Sequence, residues 1–293
     1  MVLVAPRPLL RPALQGDAAA DRGTGGEVLA LLRGDAAARP RFDPGLAGGL
    51  RAWLEDAAYD VVAARGEHAP SLFLGPRQLL GSPDERRHDD RRNDDGANDR
   101  FILSRLVHTL LRQLVHTGEL HDPLADAVDG LRASGADAAV RQVESLPEAA
   151  RAALAETLVV HARNLTSLVP RFAPGWMPRT DDRVAIPLGG GRVVLHGVFD
   201  LVVGLPQPRT ASLCALGLST GGPWASERRS LHYLSLLETL RSGTPPFRLA
   251  LLESATGRYG VEDVREEHLR AVASHIAAWL GRAGADRAGR DHG

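Results

Sequence analysis

Residues 184–220 read VAIPLGGGRVVLHGVFDLVVGLPQPRTASLCALGLST. Two apolar arms, Val184–Leu188 and Arg192–Leu205, flank Gly189-Gly190-Gly191. Glycines at a two-arm junction supply the positive φ angles of a tight reversal, so the pattern predicts a β-hairpin. Its second arm is long and rich in Val, Leu and Phe, as a buried strand is. Ser212–Thr220 predicts a third strand, and Gly221-Gly222-Pro223 breaks the chain after it. Glu227–Arg241 then carries Leu231, Leu234, Leu237 and Leu240 at helical spacing. Gly243-Thr-Pro245-Pro246 turns the chain into a fourth strand, Phe247–Ser254. Val264–Leu280, with Leu269, Val272, Ile276 and Leu280 on one face, predicts a closing amphipathic helix. The order is β-β-β-α-β-α.

Upstream, the period is helical. Leu46, Leu50, Leu54, Ala58 and Val61 mark a helix over 44–65. Ile102 to Leu114 form a broad apolar face from Phe101 onward, which Gly118 ends. One further helical stretch is expected over 123–144. Ser145-Leu-Pro147-Glu148 reads as a capping box before a helix on Leu154, Leu158, Ala162 and Leu165, which Pro170 ends. Residues 1–40 read as a loose arm with a short helix near Glu27–Arg33, and the tail from Gly281 reads as frayed. Ser82–Arg100 (SPDERRHDDRRNDDGANDR) has almost no apolar residue and predicts a solvated loop, or a contact segment for a partner. The expected fold class is α+β: a mixed sheet flanked by helices, with an N-terminal helical portion. The expected division is an arm at 1–40, a helical portion at 41–180, a sheet core at 181–283 and a tail at 284–293. The two central parts are expected to share a core.

Composition removes several chemistries. The 293 residues hold 35 Lys+Arg, and every one is arginine. A lysine Schiff base, a P-loop lysine and a lysine beside metal-bound water are therefore excluded. The single cysteine, Cys214, excludes an internal disulfide or a four-cysteine iron–sulfur cluster and points to a reducing, cytoplasmic setting. In a strand it reads as a small core hydrophobe. No apolar run of about 18 residues suggests a membrane span. Pro6, Arg7, Pro8 and Arg11 interrupt the apolar start of the chain and argue against an export signal. A net charge of −1 gives no global attraction to nucleic acid, so DNA binding would need a local arginine patch. Aromatics are only 4%, which argues against a base-stacking platform. Gly189–Gly191 joins strand to strand and is no phosphate loop. No G-x-S-x-G elbow or H-E-x-x-H spacing appears, so Ser219, His108 and Asp200 lack the setting of a nucleophilic triad.

The motifs of the C-terminal portion resemble those of the RecB-type exonucleases of the PD-(D/E)XK superfamily. The carrying residues are Gly197-Val-Phe-Asp200 in the hairpin, Gly217-Leu-Ser219-Thr220-Gly221 on the next strand, and the helix that follows. Ser104-Arg-Leu-Val-His108 matches the family's G-x-x-x-H helix motif, with serine for glycine. The likeness covers residues 70–283. It implies a PD-(D/E)XK-like mixed sheet with Asp200 and His108 as the remaining metal-site groups. In such a site two carboxylates hold Mg²⁺ or Mn²⁺ through oxygen, and the metal acidifies a water that a lysine orients. Here the second acidic position is Gly217 and the lysine position is Ser219. The helix's glutamine and tyrosine positions are Ser230 and Leu234. The expectation is a protein without this chemistry that binds DNA or a protein partner, with no cofactor. The alternative is an active nuclease with a remodelled site, to which Glu227 or Glu238 contributes a carboxylate.

Arg228, Arg229, Arg241 and Arg248 surround the expected cleft in sequence. They read as phosphate contacts, or as solvated charges balancing Glu227, Glu238 and Glu253. Asp200, in so apolar a strand, is expected to be paired or hydrogen-bonded, to an arginine partner within the core or to a metal. His108 is a metal ligand or a satisfied core histidine. His196 is four residues from Asp200, too far along a strand for joint ligation. His232 and Tyr233 read as helix-face residues.

Overall fold

In the computed structural model, the described residues are 28, 30, 32, 40–66, 69–80, 95–169, 171–205, 211–222 and 224–288. The helix expected near Glu27–Arg33 and the charged stretch before Asp95 lie almost wholly outside them. Among these residues, eight helices and six strands are delimited in order. They are α1 (Leu46–Arg65), β1 (Leu72–Leu74), α2 (Pro76–Leu80), α3 (Asp95–Thr117), α4 (Pro123–Ala133), α5 (Asp137–Glu144), α6 (Glu148–Leu168), β2 (Arg179–Leu188), β3 (Val193–Val203), β4 (Cys214–Ser219), α7 (Trp224–Ser242), β5 (Arg248–Glu253), β6 (Arg258–Asp263) and α8 (Glu266–Ala288). The class is α+β with a mixed sheet, as expected.

The hairpin forms as its glycines require. Gly189, Gly190 and Gly191 take φ of 54°, 64° and 83°, a region that side chains disfavour. β2 and β3 pair antiparallel along their full length. On its other edge β3 has two neighbours in succession. β1 runs parallel to Val193–Leu195, and β4 runs antiparallel to Leu201–Val203. Between them, among the described residues, no strand lies beside residues 196–200 of β3 on that edge. β4 pairs parallel with β5, and β6 closes the sheet antiparallel to β5.

Helices cover both faces. α1, α2, α7 and α8 share one core with Leu195, Phe199, Ala215 and Leu251. α3 to α6 share the other with Leu201, Leu216, Ala250 and Leu252. Alternation along β4 and β5 sends neighbouring side chains into opposite cores, as a pleated strand covered on both sides must. The helical and sheet portions therefore share the sheet, with α1 packed against the C-terminal helices. The C-terminal half of α7 is buried all round: Tyr233, Leu236, Leu237 and Thr239 are fully enclosed.

Several boundaries differ from expectation. Asp95–Arg100, read as loop, begin α3, because the helix continues upstream of its apolar face. The stretch at 123–144 is two helices, broken by Gly135 at φ 71°. No capping box forms at Ser145, whose hydroxyl donates back to the Gln142 carbonyl; Pro147 occupies the cap position of α6. α8 continues through the polar residues to Ala288. β1 and β6 have no counterpart in the expected order. The first is three residues long, and the second, RYGVED, lacks an apolar run.

Candidate functional site at the strand fork

β3 and β4 part company at the pair Leu201↔Leu216. The next positions are Asp200 on one strand and Gly217 on the other. The sequence frame therefore brings the expected pair to one fork. Asp200 Oδ2 accepts from the Leu218 backbone N–H at 2.7 Å, tying the diverging strands together. Its other oxygen, Oδ1, faces His108 Nε2 at 3.0 Å. His108 comes from α3, and its Nδ1 donates to the Ser104 carbonyl at 2.6 Å, one helical turn back. With an acceptor on each ring nitrogen, both carry hydrogen and the ring is an imidazolium. Burial opposes that charge, but the Asp200 carboxylate outweighs it and lifts the His108 pKa to about 9.

The serine of the Ser104-x-x-x-His108 motif thus acts through its backbone, with its hydroxyl at 3.4 Å from the same ring nitrogen.

Gly217 faces α7. A Cβ there would meet three carbons of Leu231 at 3.0–3.2 Å, so the position for a second carboxylate is closed by a leucine. Ser219 is 1% exposed and turned inward. Its hydroxyl accepts from the Gly221 and Gly222 N–H groups at 3.3 and 3.2 Å, which shapes the turn into α7. Ser230 donates to the Ser226 carbonyl within α7. Leu234 lies directly against Gly197, where any Cβ would collide with its methyl group. The space between α7 and the fork is filled with leucine.

Glu227, at the first turn of α7, is the carboxylate that approaches. Burial raises its pKa, and the charge of Asp200 raises it further, while His108 and Arg77 act in the opposite sense. Glu238 lies elsewhere, buried beside Arg241. Burial raises its pKa as well. Two further residues belong to the site without any motif to announce them. The β2–β3 register, Thr180↔Leu201 and Asp182↔Phe199, sets Asp181 across from Asp200. Asp181 has a φ of 53°, pairs with Arg112 at 2.8 Å and adds to the field that holds His108 protonated.

Three of the four arginines named from sequence, Arg228, Arg241 and Arg248, are engaged with carboxylates. Arg228 Nε donates to both oxygens of Glu262, at 2.9 and 3.1 Å. His232 Nε2 bonds the same group at 2.6 Å. Burial would raise the Glu262 pKa, but His232 and Arg228 hold it down at about 2. Arg241 bridges Asp182 and Glu238. Arg248 Nε pairs with Asp263 at 2.8 Å. Arg229 stands on α7 with its Nε buried and, among the described residues, without a hydrogen-bond partner.

His196 lies beside Gly75, its ring 3.2 Å from the Cβ position there. Tyr233 is a fully buried bridge: its hydroxyl reaches the Leu74 carbonyl at 2.7 Å and that of His196 at 3.2 Å, linking β1 to β3. Cys214 is buried, as expected of a core hydrophobe.

A divalent cation does not fit this arrangement. His108 Nε2 and Asp200 Oδ1 already bond each other at 3.0 Å. Both Asp200 oxygens are occupied, and Leu231 closes the place of the second carboxylate. Among the described residues no three His, Cys, Asp or Glu side chains are grouped to hold a metal ion. Among the same residues no helix is long and apolar enough to cross a membrane. No protein-family model, curated protein or solved structure matches the chain.

Proposed function

We propose that this chain is a RecB-type PD-(D/E)XK-like protein whose metal-and-lysine chemistry has been replaced, and which acts as a binding or structural subunit. The reading rests on one observation: Asp200 is neutralised by the His108 imidazolium while Leu231 fills the space above Gly217. Support for the superfamily lies in the strand order, with an antiparallel β2–β3–β4 run followed by α7 and a parallel β5. A protein partner fits better than DNA. Arg228, Arg241 and Arg248 already bond carboxylates, and each phosphate contact would first have to break such a pair. A site in the cytoplasm goes with the single buried thiol.

The alternative is a Mg²⁺- or Mn²⁺-dependent nuclease with a remodelled site. Glu227 favours it, because that carboxylate feels the charge of Asp200. Melting curves with and without millimolar Mg²⁺ and Mn²⁺, beside a DNA degradation assay, separate the two. The subunit reading expects no metal-dependent stabilisation and no cleavage. Stabilisation by metal, with cleavage that Asp200→Ala abolishes, overturns it.

A further inference from the structure

Among the described residues three strands have an unpaired edge, β1, β2 and β6, and β1 is only three residues long. β2 carries Pro187 and the positive-φ residue Asp181, both of which spoil an edge for pairing. β6 has neither. Its register with β5 is unbroken from Arg258 to Asp263, and among the described residues β5 is the only element that runs along it.

The side chains of β6 divide by parity. The Arg258 guanidinium lies over the Trp224 ring at 5.6 Å. The missing Cβ of Gly260 points at Trp224, and Glu262 bonds Arg228 and His232. Trp224, Arg228 and His232 all belong to α7, so the even positions face α7. Tyr259 and Val261 pack into the opposite core.

We infer that β6 pairs with β6 of a second copy of this chain, antiparallel about a two-fold axis at Gly260, so that the two sheets become one. A two-fold axis perpendicular to a sheet keeps each face on its own side, so facing residues must share parity. With Gly260 on the axis, Arg258 faces Glu262 of the partner subunit, twice by symmetry; Glu262 bonds Arg228 and His232 and is 25% exposed, so the guanidinium adds a partly solvated contact to a carboxylate that keeps its own bonds. Tyr259 faces Val261 of the partner subunit, an aromatic against a β-branched residue. Moving the axis to Tyr259 or Val261 sets Arg258 opposite Gly260 of the partner subunit or Val264 of the partner subunit, and both charge pairs vanish. The sequence RYGVED thus selects one register of self-pairing. Gly260 suits the axis, since its face is already covered by Trp224 and no side chain is required there. A single strand pair is a small interface, so the dimer is weak and concentration-dependent.

Sedimentation of the full chain from about 1 to about 100 µM tests this, with Arg258→Glu and Arg258→Lys as variants. The wild type and Arg258→Lys are expected to shift toward dimer with concentration. Arg258→Glu, which sets two glutamates face to face at each pair, is expected to dissociate at least about tenfold more readily, ~1.4 kcal/mol. Arg258 is exposed, so the helical circular dichroism of the variants should match wild type. Amide exchange over 258–263 in the wild type alone is expected to slow as concentration rises. A wild type that stays monomeric with concentration-independent exchange overturns the inference, as does an Arg258→Glu dimer of undiminished strength.

Discussion

Replacing His108 by glutamine removes a positive charge from the fork while keeping an N–H donor for Asp200. The magnitude follows from the raised pKa. A rise from 6.5 to about 9 at ~1.36 kcal/mol per unit is on the order of 3 kcal/mol. The two side chains are 30% and 23% exposed, and solvent screening reduces this to about 2 kcal/mol. The sign is fixed by linkage: the folded state holds the proton more tightly than the unfolded state. The stabilisation is therefore complete below pH 6.5 and fades as pH rises toward 9. Urea unfolding of wild type and His108→Gln at about pH 6 and about pH 9.5 isolates it, because other titrating groups cancel in the difference. The wild type should exceed the variant by about 2 kcal/mol more at the lower pH than at the higher. A difference that does not change with pH would show that folding leaves the His108 pKa where it was, and one that grows with pH would show that His108 is kept neutral in the fold; either refutes the charge pairing with Asp200.

Two other substitutions probe the packing around the fork and between the helices. Gly217→Ala should cost about 1–3 kcal/mol by pressing on Leu231. In Gly217→Ala/Leu231→Ala the combined loss in urea unfolding should be smaller than the sum of the single losses, and strict additivity would mean the two do not touch. Gly130 of α4 stands against the Thr109 methyl of α3, with no room for a Cβ. Gly130→Ala should lower the melting temperature despite its better helix propensity, and Thr109→Ser should restore it by removing the methyl. Failure of that rescue would locate the strain elsewhere.

The sequence was most legible where one physical signal acted alone. Glycine punctuation and unbroken Val/Leu runs gave β2, β3, β4 and β5 to within a few residues, save that β2 begins five residues earlier at Arg179. That Asp200 and His108 share one site was open to motif reading, because each lay at a fixed offset inside an element whose period was clear; that they pair with each other, where an arginine or a metal was expected, was not. What closes the site was not. Helical spacing put Leu231 and Leu234 on one face of α7, but which leucine meets Gly217 depends on how α7 crosses the sheet. Asp181 carries no motif and enters the site only through the β2–β3 register. Arg228 and Glu262 lie far apart in sequence, and a polar strand such as β6 offers no alternation from which to place Glu262. β1 is defined by its position beside β3 more than by its three residues.

The absence of lysine acquires a structural meaning at the fork. A metal-dependent site of this kind balances two carboxylates with a divalent cation and a nearby ammonium. On the proposed reading, Gly217 stands at the position of one carboxylate, and the other, Asp200, is balanced by the His108 imidazolium. Charge neutrality is reached with side chains alone. Restoring a carboxylate at 217 would upset it twice, through the Leu231 carbons at 3.0–3.2 Å and through a second negative charge beside Asp200. Restoring a lysine at 219 would bury an ammonium where Ser219 is 1% exposed and already accepts two backbone N–H groups. Each single reversion works against packing that the others maintain. Under the proposed reading, the loss of chemistry is therefore a property of the whole fork and cannot be undone at one position.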